Sequence, residues 1–103
     1  MPEEAAKRQI TVERELEEII PGYLANRHKD ILQLTDLLGK EDFETMRVLG
    51  HRMKGSGAGY GLDEISRIGA AMEQAARGQH SAELTALIQE LTLYLDRLEI
   101  VYQ

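Results

Sequence analysis

Apolar residues and glycines recur at helical spacing through the middle of this chain. Phe43, Met46, Gly50, Met53, Gly57 and Tyr60 follow at intervals of 3, 4, 3, 4 and 3 residues, which places them on one face of a helix. Glycine is an odd choice for such a stripe. Each interior glycine costs a helix roughly 1 kcal/mol relative to alanine, so Gly50, Gly55, Gly57, Gly59 and Gly61 together would cost about 4–5 kcal/mol if all were helical. A chain tolerates this where something must approach the backbone closely, or where it is not helical. Two readings follow: a helix ending near Gly55 with a loop over Gly55–Gly61, or a helix that continues. The stripe favours continuation, because Gly57 and Tyr60 fall where Met53 predicts core positions.

The same periodicity runs through the remainder of the chain. Leu16, Ile19 and Ile20 predict a short amphipathic helix from about Thr11 to Ile20. Pro21 suits the first turn of a new helix, whose apolar positions are Leu24, Ile31, Leu34 and Leu38, with Gly39 as its stop. Asp42 is the expected N-cap of the glycine-rich helix. Asp63 and Glu64 bring negative charge to the first turn of the next one, with Ile65, Ile68, Met72 and Ala75 as its buried face and Gly78 at its end. Ser81 is the expected N-cap of the last helix, which buries Leu84, Leu87, Ile88, Leu91, Leu95, Leu98 and Tyr102. No run reads as a strand. The expected fold is all-α: a single domain over residues 1–103, an antiparallel up-down-up-down four-helix bundle with short loops and a short accessory N-terminal helix.

Composition narrows the function. The chain of 103 residues has no cysteine, which excludes disulfides and thiolate metal sites. A net charge of −6 argues against a nucleic-acid partner, whose phosphates would be repelled. No apolar run approaches the ~20 residues that cross a bilayer, and the acidic start lacks the basic region of a signal peptide. A cytoplasmic domain without membrane contact is expected.

The chemistry concentrates at His51. On a helical wheel it lies about 140° from the centre of the Phe43–Met53–Tyr60 stripe, and so faces water. Val48, Gly55 and Ala58 share that face, with Arg47 and Lys54 toward one side. Lys54 stands one turn past His51, close enough for its ammonium to reach a group attached to the imidazole; it reads either as an ordinary solvated lysine or as a partial neutraliser of a phosphoryl group. Ser56 is expected to bond a backbone carbonyl of the preceding turn. Rival phosphate motifs fail: the lysine precedes the glycines, and neither a Walker loop nor a dinucleotide fingerprint has its strand context. His28, His51 and His80 are too dispersed for a zinc site.

His51-x-x-Lys54-Gly55-Ser56, with Gly61 further on, resembles the signature of histidine-containing phosphotransfer (HPt) domains, the phosphorelay intermediates of two-component signalling. The resemblance extends from about Thr11 to the end, since helix number and order agree. Met53 stands where the family often has leucine, a volume-conserving change. Histidine-kinase dimerisation helices, the nearest confusable case, follow their histidine with an acidic residue, then threonine or asparagine and proline; none is present here.

The resemblance implies a phosphocarrier without kinase activity of its own. His51 would accept a phosphoryl group from a receiver-domain aspartate and pass it to another receiver. Lys54 would neutralise charge, and Arg47, Val48, Gly55 and Ala58 would form the docking face. The family commonly places a polar residue on the next helix to orient the imidazole; Glu73 is the first choice, Gln74 the second. No cofactor is expected on this chain, with Mg²⁺ brought by the receiver. The expected partners are response-regulator receivers or a hybrid sensor kinase, and the expected state is monomeric. The alternative is a helical module that binds receivers without carrying phosphate, and a structural dimerising bundle is a third class.

Overall fold

A computed structural model describes residues 7–103. Among them, four α-helices carry the fold: α1 (Ile20–Gly39), α2 (Phe43–Ser56), α3 (Asp63–Arg77) and α4 (Ser81–Arg97). In the neighbour relations α1 meets α2, α2 meets α3, α3 meets α4 and α4 meets α1, which closes the helices around one core. Leu34, Met46, Met53, Leu62, Ile65, Ile68, Met72, Leu84 and Leu91 are fully buried at its centre. The apolar stripes read from the sequence therefore point inward.

The extremities differ from expectation. The anticipated N-terminal helix over Thr11–Ile20 is replaced by a strand, β1 (Arg8–Val12), and a single 3₁₀ turn over Arg14–Leu16. The last helix stops at Arg97, and Leu98–Tyr102 form a second strand, β2. The two strands pair in parallel, with Ile10 opposite Ile100 and Val12 opposite Tyr102. Both segments are rich in β-branched residues, which suit a pleated surface. Leu98, Ile100 and Tyr102 turn inward while Glu99 and Val101 are exposed. Leu98 and Tyr102 also satisfy a helical interval of four, so local spacing alone favoured the helix. What decides the strand is a partner from the far end of the chain.

The closest helix contact is between α2 and α3, and glycine makes it possible. A Cβ on Gly50 would stand 2.7 Å from the backbone nitrogen of Glu73 and 2.9 Å from the carbonyl oxygen of Gly69. A Cβ on Gly69 would stand 2.5 Å from the backbone nitrogen of Lys54. The two backbones therefore meet at the Gly50–Gly69 crossing, which brings the outward residues of one helix within side-chain reach of the other. Gly57 is similarly wedged against Leu62 and Ser66.

The glycine-rich helix ends between the two expected readings. It continues through Gly55, stops at Ser56, and gives way to a 3₁₀ turn over Ala58–Tyr60. Gly57 and Tyr60 keep the inward facing that the stripe predicts. Gly61, at φ 78°, then turns the chain into α3 in a left-handed conformation that favours glycine. Asp42 caps α2 as expected, accepting from the backbone N–H of Thr45 at 3.2 Å and its hydroxyl at 2.8 Å. Ser81 does not cap α4: it is the first helical residue, and His80 occupies the cap position without a side-chain bond.

Candidate functional site

His51 projects from the middle of α2 on the side facing α3, with 62% of its side chain exposed. Its Nδ1 lies 3.1 Å from Oε2 of Glu73 on α3. Glu73 is the only buried charged residue among those described, with 5% of its side chain exposed. The Gly50–Gly69 crossing explains this pairing, since it holds the backbone of Glu73 against Gly50, the residue next to His51.

Lys54 also converges on Glu73. Its Nζ is 3.1 Å from Oε1, and its side chain is 45% exposed. Arg77, one turn further along α3, reaches Oε2 at 3.5 Å. One carboxylate thus faces three basic side chains. The Lys54 ammonium holds the Glu73 carboxyl below its ordinary value, burial opposes this, and the bond to His51 adds to the lowering. Glu73 is therefore an ionised acceptor at neutral pH, and an acceptor fixes the proton of a neutral imidazole on Nδ1. The lone pair is left on Nε2, the remaining ring nitrogen of an exposed side chain.

Gly55 lies one turn past His51 and has no internal packing role. No atom lies within 4 Å of where its Cβ would stand, and the same is true of Gly59. Ala58, also exposed, sits on the 3₁₀ turn with its N–H bonded to Ser66 Oγ at 2.8 Å. The ground beyond the imidazole is bare. Val48, half-buried, precedes His51 by one turn. Arg47 is half-buried and grips Glu44 through two bonds of 2.6 and 3.1 Å, so its guanidinium is already engaged on its own helix.

The structure brings together His51, Lys54 and Glu73. It leaves Gln74 exposed and gives it no bond to the imidazole. Ser56 does not bond a backbone carbonyl of the preceding turn as expected; its Oγ lies 2.7 Å from the hydroxyl of Tyr23 on α1. A hydroxyl partner on a neighbouring helix outcompetes the local carbonyl here. Sequence reasoning missed Arg77, although Glu73-x-x-x-Arg77 carries the i,i+4 spacing of a helical ion pair. It also missed Tyr23, which falls outside the apolar stripe assigned to α1.

The site is thus an exposed histidine on a bundle of four helices, held by a buried carboxylate from the neighbouring helix. Comparison with protein-family models matches residues 13–100 to the Hpt domain. The chain belongs to the Hpt domain family, whose members serve phosphotransfer in two-component systems as carriers and not as kinases. No curated protein and no solved structure matches the chain. Among the described residues no helix is long and apolar enough to cross a membrane.

Proposed function

We propose that His51 is the phosphoacceptor of a phosphorelay intermediate, taking a phosphoryl group from a receiver aspartate and returning it to another. The observation that carries this reading is the pairing of an exposed imidazole, bonded through Nδ1 to buried Glu73, with open space at Gly55 one turn away. The reading takes the four helices as running alternately up and down, which their short connections support.

Nε2 attacks the phosphorus of an aspartyl phosphate. The phosphorus–oxygen bond breaks, and the aspartate leaves as a carboxylate. The imidazole gains positive charge as it gives up its lone pair, and the Glu73 carboxylate lies where that charge develops. The proton stays on Nδ1 throughout. Lys54, half in water, exchanges part of its contact with Glu73 for the incoming phosphoryl oxygens. Phosphoryl transfer passes through a loose transition state, so alignment and charge neutralisation do most of the work. Mg²⁺ enters with the receiver. The receiver lies across α2 with Val48, Gly55 and Ala58 beneath it, in a cytoplasmic setting, on a monomeric carrier.

The test is incubation of the wild type and His51→Gln with a phosphorylated receiver. Acid-labile, base-stable label is expected on the wild type alone; equal labelling of the variant overturns the assignment. Receiver binding without any label on the wild type favours the interaction-module alternative.

A further inference from the structure

The end of α2 is fastened to α1 by a cluster that the transfer step does not use. Tyr23 is buried, and its hydroxyl meets Ser56 Oγ at 2.7 Å. Its ring lies against Tyr60, with centroids 4.4 Å apart and planes tilted by 38°. The Arg27 guanidinium sits 4.4 Å from the same ring centroid and is bonded to Asp30 at 2.8 Å. One side chain of α1 therefore touches both the last residue of α2 and the last residue of the 3₁₀ turn.

Those contacts fall at a helix end flanked by glycines, whose far side is held by Gly57 against Leu62 and Ser66. Ser56 stands between Gly55 and Gly57, and two glycines in one turn favour fraying. Gly55 has nothing around it to hold that turn. The terminal bond of the helix, from the N–H of Gly57 to the carbonyl of Met53 at 3.1 Å, depends on Ser56 staying helical.

We infer that Tyr23 is a positioning residue for receiver docking, acting through Ser56 to keep the last turn of α2 wound so that the clearing at Gly55 holds its place beside His51. The inference rests on the phosphotransfer reading. Fraying confined to Gly55–Gly57 leaves His51 and the Lys54–Glu73 pair in place but spoils the surface a receiver must meet. The expected deficit is therefore in productive encounter and not in the chemical step.

The test uses Tyr23→Phe, which keeps the ring, Ser56→Ala, and the double variant. With a phosphorylated receiver as donor, each single variant is expected to raise KM about three- to tenfold with kcat nearly unchanged, the range expected for one lost hydrogen bond. The double variant is expected to match the singles, because both remove the same bond. The Gly57 amide is expected to exchange with solvent about tenfold faster in all three, while amides over Met46–Met53 are unaffected. Additive losses in the double variant overturn the inference, as does faster exchange with an unchanged KM. A wild type that takes no label overturns the phosphotransfer reading and the docking role with it. The exchange measurement then still decides whether the Tyr23–Ser56 bond holds the turn, and unaltered exchange overturns that too.

Discussion

Nδ1 of His51 lies 3.1 Å from Oε2 of Glu73, and the carboxylate that holds the ring is almost wholly buried. In the proposed relay the exposed nitrogen owes its free lone pair to a group no partner needs to touch. Glu73→Ala is expected to slow transfer to His51 roughly tenfold or more, the loss of a charge-assisted hydrogen bond. Glu73→Gln, whose amide oxygen still accepts from Nδ1–H, is expected to retain more activity. Nitrogen chemical shifts of the ring check the cause: the alanine variant is expected to show a mixture of tautomers and the wild type mainly the Nδ1–H form.

Acid should undermine the same site in a predictable sense. The Glu73 carboxyl is held below its ordinary value of 4.5, chiefly by Lys54. A group depressed in the folded state contributes stability that is present above its unfolded pKa and is lost as pH falls through its folded one. Thermal stability is expected to decline as pH drops below about 4.5, and Glu73→Gln is expected to make that decline shallower. Glu44 and Glu64, lowered by Arg47 and Arg67, keep their share of it. An identical acid limb in the variant would show that the carboxylate contributes nothing.

The glycines of α2 separate into structural and functional ones. Gly50→Ala drives a Cβ to within 2.7 Å of the Glu73 backbone, and overpacking of this kind costs about 1–3 kcal/mol. Melting should move down by roughly 4–8 °C per kcal/mol for a domain of this size. Gly55→Gln meets nothing inside the fold, so helix content should survive while transfer from a receiver slows strongly. Circular dichroism beside a labelling time course distinguishes the two.

Asp42 provides a control remote from the chemistry. It accepts two bonds from Thr45 at the start of α2. Asp42→Ala is expected to cost about 1 kcal/mol of stability while leaving the transfer rate of the folded protein unchanged. A matching loss of rate would mean that the start of α2 governs where His51 points.

The helices, the core stripe and His51 were legible because each is written in local spacing. Met53 and Tyr60 reveal their inward side through neighbours three and four residues away. The functional reading came from Lys54 and Gly55 at fixed distances from the histidine, and Glu73 entered through a family resemblance. What stayed hidden depends on distance along the chain. Ile10 and Ile100 form a strand pair only because each meets the other, and neither segment carries that partnership in its own pattern. The Tyr23–Ser56 bond is hidden for the same reason, since nothing near Ser56 announces an aromatic hydroxyl from α1. Gly50 looked like a helix defect until Gly69 stood opposite it.

The parallel pairing of β1 with β2 has a kinetic consequence. Its two strands come from opposite ends of the described chain, so bringing them together closes the longest loop in the molecule and confines the most chain entropy. The helices can assemble through contacts between sequence neighbours before that closure is made. The ribbon is then expected to be the late clasp of the folding reaction, and under denaturant or strain the first part to let go, ahead of the α2–α3 pair that carries His51.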